Sequence, residues 1–288
     1  MMKRPWLRKL IGITGIIILF LLVAFFALLN NFTTPKEDSE IIELFEEEVY
    51  QPVISYLDFK EHRVRIISMQ EQLDMNLPTL VFIHGSPGSA MDFKRYLKDE
   101  ELNQRANIIA YDRVGYSDLD TGIILASVDA EVTLLHEVLK KTGSKNTILV
   151  GYSYGGTVAM ASPKSFRRKI ALAAAVRGEL EPIFWALKLC DWPLTRPMVP
   201  KVLRAAAEEK IRHVKELDAY DDTWNLSDAK VLSIHGKKDI IVPYQNSLYL
   251  AEKLGDKFKL VTLEKGNHSL IWTDFDVIRE NILKSLTE

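Results

Sequence analysis

The chain has 288 residues, 47% of them hydrophobic and 26% charged, enough for one sizeable core or for one domain with an appended segment. A formal net charge of -2 leaves no electrostatic footprint for nucleic acid. The lone Cys190 excludes an intrachain disulfide and a cysteine-based structural zinc site, and it reads as a small buried hydrophobe.

From Leu10 to Leu29 the chain runs without a charge. As a helix rising about 1.5 Å per residue, this stretch spans the roughly 30 Å of a bilayer core. Lys3, Arg4, Arg8 and Lys9 precede it, whereas Glu37, Asp38, Glu40, Glu43 and Glu46 to Glu48 follow it. The positive-inside bias then predicts a single-pass helix over 10–29, with residues 1–9 cytoplasmic and the remainder periplasmic or extracellular. The rival reading is a cleaved signal peptide; the apolar run is long for one, and no clear small-x-small cleavage site lies around Ala24 to Asn31. Residues 30–52 read as a polar linker with a short acidic helix over Glu40 to Tyr50.

The periodic pattern begins at Val53. Val53 to Phe59 and His62 to Met69 alternate and predict an antiparallel pair of strands, and Thr79 to Ile83 is an uninterrupted apolar strand of the kind buried on both faces. It ends in His84-Gly85-Ser86-Pro87-Gly88, where glycines admit a close ligand and Pro87 lacks an N–H, so that Ser86 is the donor available. A helix over Met91 to Leu102, a strand over Ile108 to Tyr111 and a structural turn from Asp112 to Ser117 follow. Val128 to Lys141 is an amphipathic helix with Gly143 as its stop. Ile170 to Val176 reads as a further buried strand, so strands and helices alternate as parallel βαβ units require. The stretch from Arg177 to Asp228 carries several prolines and reads as helical, with helices near Ile183 to Leu189 and Val199 to Tyr220. Within it Phe184, Trp185, Trp192 and Trp224 read first as core packing and second as candidates to line a pocket, and Arg204 to Lys215 reads as a solvated helix face. Strands over Lys230 to Ile234 and Phe258 to Leu263, each followed by a helix, close the domain.

Thr147 to Met160 carries the chemistry. A β-branched strand runs into Gly151-Tyr152-Ser153-Tyr154-Gly155 and then into a helix, so Ser153 sits on a sharp strand-to-helix turn, the G-x-S-x-G nucleophile elbow. A serine hydroxyl is a weak nucleophile until a base takes its proton, and that base needs a buried acceptor to hold its ring. The acids available at strand ends are Asp239, Glu179 and Glu181; the bases are His268, His84 and His235.

From about Val53 to the C-terminus the chain resembles the α/β-hydrolase superfamily, in its branch with a serine nucleophile and a helical cap. The resemblance rests on the elbow, on the D-R-x-G-x-S turn, on H-G-x-x-D-x-x-V-P around Asp239 and on G-N-H ending at His268. It implies an α/β fold with a mostly parallel central sheet over 53–288, a cap insertion at about 177–228 and a catalytic triad of Ser153, Asp239 and His268. It also implies an oxyanion hole from the N–H groups of Ser86 and Tyr154. No cofactor or metal is implied. Relatives with dehalogenase or epoxide-hydrolase activity carry aspartate at the elbow, so Ser153 points to acyl transfer on a small ester or amide. Carboxylic ester hydrolysis is the first expectation. The H-G-S-P-G run is also close to the HGGPG of proline iminopeptidases, which makes a serine aminopeptidase the second, and a membrane-tethered binding protein without turnover the third.

Overall fold

Eight strands form one sheet: β1 (Val53–Phe59), β2 (His62–Ser68), β3 (Thr79–Ile83), β4 (Asn107–Tyr111), β5 (Thr147–Tyr152), β6 (Arg168–Leu172), β7 (Lys230–Gly236) and β8 (Phe258–Leu263). In the computed structural model, which describes residues 5–288 except Ala126 and Gly143, the spatial order is β1-β2-β4-β3-β5-β6-β7-β8. The β1–β2 hairpin is antiparallel, β2 runs antiparallel to β4, and every later neighbour is parallel. All eight expected strands are present. The sixth is shifted from the expected Ile170–Val176 to Arg168–Leu172, because Ala173 adopts a φ of 46° and turns the chain out of the ladder.

Alternation along β3 shows why it reads as continuously apolar. Leu80 and Phe82 pack into a core with Phe93, Tyr96 and Ile278 on one face, whereas Val81 and Ile83 pack with Leu134, Leu135 and Val158 on the other. Both faces are therefore covered by helices. In chain order the helices of the described residues are α1 (Pro5–Thr33), α2 (Asp38–Glu43), α3 (Lys94–Leu97), α4 (Glu100–Arg105), α5 (Val128–Val138), α6 (Tyr154–Ala161), α7 (Lys188–Asp191), α8 (Lys201–Tyr220), α9 (Gln245–Leu254), α10 (Leu270–Thr273) and α11 (Phe275–Thr287), and α1 is not among those that cover the sheet. The single helix expected over Met91 to Leu102 is broken. A capping box at Ser89 and Asp92 starts a 3-10 turn, and the Asp99 carboxylate caps the N–H of Leu102 to start α4 separately.

Helix α1 contains a 23-residue stretch, Lys9–Asn31, with mean hydropathy 2.9 and none of it buried, long and apolar enough to cross a bilayer. Lys3 and Arg4 of the basic N-terminal cluster lie outside the described residues, as does Gly143, the expected stop of α5. The stretch that reads as a linker over 30–52 behaves differently from Lys36 onward. Arg65 donates to the Lys36 carbonyl at 2.9 Å and to Asp38 at 3.0 Å, and Tyr56 bonds Asp38 as well. Ile41 and Phe45 are fully buried in the core beside Phe82 and Phe93. Each side chain of that size stabilises the fold by about 1.5–3 kcal/mol on burial. This segment is therefore part of the folded domain, and the exit of α1 is fixed to it.

The cap lies between β6 and β7. It holds α7, α8 and short 3-10 turns. Of its aromatic residues Trp224 is buried against Tyr220, Leu217 and Val231, as the core reading expects, whereas Trp185 and Trp192 are 74% and 50% exposed and so lie outside the core. The charged face expected over Arg204 to Lys215 is not all solvated either, since Glu209 and His213 are buried. Cys190 is partly exposed and not in the core.

Candidate active site

Ser153 occupies the turn between β5 and α6 with φ 52° and ψ -118°, a conformation that side chains rarely take. The surrounding glycines make it possible. A Cβ on Gly151 would meet the Gly155 carbonyl oxygen at 2.3 Å, and one on Gly155 would meet the Ile83 carbonyl oxygen at 2.1 Å, so β3, β5 and α6 can converge only without side chains there. The Ser153 N–H donates to the Leu172 carbonyl at 2.9 Å, which ties the strained residue to β6.

His268 follows β8, and Asp239 follows β7. Their two loops touch through glycine, because a Cβ on Gly236 would lie 2.3 Å from the Gly266 carbonyl carbon. Tyr152, one residue before the serine, donates its hydroxyl to the His268 carbonyl at 2.7 Å. The result is a chain of hydrogen bonds: Ser153 Oγ lies 3.1 Å from His268 Nε2, and His268 Nδ1 lies 2.7 Å from Asp239 Oδ2. An ionised carboxylate only accepts, so Nδ1 carries the imidazole proton and Nε2 faces the serine as the acceptor.

Asp239 stays ionised across neutral pH. Burial pushes its carboxyl up, but the His235 and His268 rings and the Val242 N–H more than offset this and hold it well below the usual carboxylate range. Its other oxygen accepts from the N–H groups of Ile241 and Val242, both at 2.9 Å. The competing acids are occupied elsewhere. Glu181 bonds Lys210 and accepts from Asn246 at 3.1 Å, and Glu179 pairs with Arg177 at the surface. The competing bases are structural: His84 donates to the Gly85 carbonyl at 2.8 Å and accepts from the Arg113 N–H at 2.9 Å, and His235 bonds Ser247 and the Val242 carbonyl. Burial, reinforced by the Arg113 charge, keeps His84 neutral.

Ser86 follows β3 and faces the serine across Gly85, where a Cβ would sit 3.1 Å from Ser153 Cβ. Among the described residues, neither the Ser86 nor the Tyr154 N–H donates to another protein group, so both are free for an oxyanion. A buried network beneath this loop escaped the sequence reading. Arg113 reaches Glu131 of α5 at 2.9 Å, Glu209 of the cap helix α8, and the Gly85 carbonyl at 3.2 Å. Tyr116 donates to Glu209 at 2.8 Å, which leaves its oxygen to accept from Ser86 Oγ at 2.7 Å. The cap is thus wired through Glu209 to the loop that carries Gly85 and Ser86. The only signal in the sequence is the D-R turn itself, since partners 18 and 96 residues away cannot be paired by spacing.

A cavity of about 40 Å³ opens at Ser153, lined by Ser86, Tyr154, Ala175, Glu181, Lys210 and His213 among others. That is room for about three water-sized groups. Thr157 donates its hydroxyl to the Ala175 carbonyl, so its oxygen accepts from His213 Nε2 at 3.3 Å and His213 Nδ1 is left as an unpartnered buried acceptor. Burial first, then the nearby Lys210 and Arg113 charges, push the His213 ring down to about 3, so it is neutral. Tyr116 lines a second cavity of about 620 Å³, between Thr33 to Lys36 at the end of α1 and Pro87 to Asp92 after Ser86.

The chain resembles known hydrolases in fold. A structure of a lipase candidate from Acinetobacter baumannii AYE superposes with a TM-score of 0.66 at 17% identity, covering 86% of this chain and 96% of that one. A membrane phospholipase A described as a bacterial virulence factor gives 0.63 at 15% identity over 98% of this chain and 96% of its own. A serine hydrolase from the polyaromatic-hydrocarbon-degrading bacterium Cycloclasticus zankles gives 0.61 at 16% identity, over 82% and 97%. No protein of curated function matches in sequence. The profile of the Alpha/beta hydrolase family matches residues 80–279, from β3 to the helix that follows His268. With the sheet order, the elbow and the cap already in place, the chain belongs to the alpha/beta hydrolase family.

Proposed function

We propose that the chain is a membrane-anchored carboxylic ester hydrolase working through an acyl-Ser153 intermediate. The observation that carries this reading is the hydrogen-bonded series Ser153, His268, Asp239 at the ends of three parallel strands. His268 Nε2 accepts the serine proton as Oγ attacks the ester carbonyl, and the new C–O bond pushes charge onto the carbonyl oxygen, where the Ser86 and Tyr154 N–H groups receive it. The imidazolium, steadied by Asp239, returns the proton to the leaving alcohol. In the second half a water gives its proton to His268 and attacks the acyl carbonyl, and Ser153 is released with its proton restored.

Ester is favoured over aminoacyl amide by the charge at the site. A substrate's free amino group needs an unpaired carboxylate, yet Glu181, which lines the catalytic cavity, is already paired with Lys210. The size of that cavity suits a short acyl group, with the larger leaving group toward the cavity lined by Tyr116. A panel of p-nitrophenyl esters and aminoacyl p-nitroanilides tests both points. Acetate or butyrate esters should be turned over with a kcat/KM at least about tenfold above the anilides and above long-chain esters. The opposite ranking supports the aminopeptidase reading, and no turnover by correctly folded protein supports a binding protein.

The anchor rests on α1, uncharged over the thickness of a bilayer core, with basic residues before it and acidic residues after it. The likeness to a membrane phospholipase A covers 98% of this chain and so takes in the apolar helix as well as the domain. Residues 1–9 are then cytoplasmic, 10–29 span the bilayer, and the domain faces the periplasm or exterior. Protease added to intact spheroplasts should digest the domain. Protection until the membrane is broken would reverse the orientation.

A further inference from the structure

Exposed apolar side chains gather on one stretch of the cap. Between residues 183 and 194 six large ones, Ile183, Phe184, Trp185, Leu189, Trp192 and Leu194, are exposed by 36% to 74%. None of them belongs to the three hydrophobic clusters of the described residues. Single apolar residues at a surface are ordinary, but six in so short a stretch form a patch that a soluble domain rarely leaves to water. The only charged residues of the stretch, Lys188 and Asp191, cancel in formal charge, so its burial in an apolar medium carries no net charge with it.

The anchor determines what lies against that patch. Helix α1 ends at Thr33, and Arg65 holds the Lys36 carbonyl at 2.9 Å. Three residues, spanning at most about 11 Å when extended, therefore separate the apolar helix from the folded domain. A domain tethered so closely cannot drift away from a bilayer that α1 spans, and whatever lies beside the end of α1 meets the interface at high effective concentration. Thr33, Thr34 and Pro35 line one cavity with Val202, in the first turn of α8. The apolar stretch leads straight into that turn. The Thr195 N–H donates to the Trp192 carbonyl at 3.0 Å and the Val199 N–H to the Thr195 carbonyl at 3.2 Å, so the chain between them is compact, and Val199 and Pro200 are buried. Its helix, α7, packs against α8. The patch and the exit of the anchor are thus neighbours.

We propose that residues 183–194 of the cap are a second membrane contact, placing Trp185, Trp192 and Leu194 in the headgroup boundary of the bilayer that α1 spans. Tryptophan favours that boundary, where an amphipathic ring meets both lipid and water, and an apolar face lying in it is buried by roughly 5–10 Å. The inference rests on the reading of α1 as an anchor and adds a contact which that reading does not require.

The test uses the single cysteine of the chain, Cys190, which is partly exposed in α7. Full-length protein labelled there with the fluorophore NBD is reconstituted into phosphatidylcholine vesicles with and without lipids carrying a nitroxide near the headgroup end of the acyl chain. The control probe sits on Cys190→Ser/Asp256→Cys; Asp256 is exposed just before β8, at the edge of the sheet away from the strand ends that carry the triad. Quenching by the nitroxide should be at least about threefold stronger at Cys190 than at the control. In Trp185→Gln/Trp192→Gln/Leu194→Gln, quenching at Cys190 should fall to the control level while the melting temperature in detergent stays within about 5 °C of wild type, which separates loss of the contact from loss of the fold. A carbonate wash of the same vesicles tells the two readings apart. Release of the chain by the wash would overturn the anchor and this contact with it, whereas a chain that is retained but quenched equally at both positions would overturn the cap contact alone. Energy transfer between Cys190 probes on different chains, without nitroxide quenching, would assign the patch to a second copy of this chain and also overturn the proposal.

Discussion

Ser153→Ala and His268→Ala are each expected to lower kcat on the best ester by about 10⁴ to 10⁶, with the double variant little worse than either. The near-equality follows from the geometry. His268 Nε2 is 3.1 Å from Ser153 Oγ and has no other proton to take, so the histidine is without effect when the hydroxyl is gone, and the hydroxyl is not activated when the ring is gone. Asp239→Asn should cost nearly as much. A carboxamide at Oδ2 can present an N–H to His268 Nδ1 and so favour the wrong tautomer, while losing the charge that steadies the imidazolium. Activities that fall in proportion, each variant multiplying the loss of the others, would show that the three groups do not act as a unit. More than a tenth of wild-type activity in Ser153→Ala would remove the serine from the reaction.

The largest expected effect on stability is at Arg113. Its guanidinium is fully buried, lies 4.0 Å over the Tyr154 ring and pairs with Glu131 and Glu209. Arg113→Leu keeps most of the volume but leaves two carboxylates buried without a counter-charge. Breaking a buried pair in this way costs about 3–5 kcal/mol. At roughly 2–4 °C per kcal/mol for a domain of this size, the melting temperature should fall by about 6–20 °C. Arg113→Leu/Glu131→Gln/Glu209→Gln should regain much of the loss, since the penalty comes from the stranded charges. A single variant that melts within about 2 °C of wild type, or a triple that melts lower than the single, would contradict the electrostatic account. Catalysis should also suffer in the triple, because Glu209 holds Tyr116, and Tyr116 holds the side chain of Ser86.

These two sites differ in how far the sequence reveals them. Ser153, Asp239 and His268 each sit in a local pattern, a glycine-flanked elbow or a loop after an apolar strand, and the parallel βαβ arrangement brings strand ends together at one edge of the sheet. Local periodicity also identifies all eight strands, because each is a short run of apolar or alternating residues. Arg113, Glu131 and Glu209 have no such pattern. Helix α8 mixes charges of both signs at close spacing, which is the appearance of a solvated face, and only the tertiary fold shows Glu209 and His213 turned inward. The same limit applies at the N-terminal side. Ile41 and Phe45 are four residues apart, a helical spacing, but the acidic residues around them hide the two that reach the core. For the cap aromatics composition misleads in the other direction, since Trp185 and Trp192 stay at the surface while the cavity wall is made by Glu181, Lys210 and His213.

An activated serine can be detected without knowing the substrate. Full-length protein treated with a fluorophosphonate and digested for mass spectrometry should carry one stoichiometric adduct, on Ser153. The adduct should be absent from Ser153→Ala and slower to form in His268→Ala by several orders of magnitude, roughly in line with the loss of kcat. A correctly folded protein that takes no adduct, or takes it on another residue at the same rate in Ser153→Ala, would contradict the assignment of Ser153 as the nucleophile.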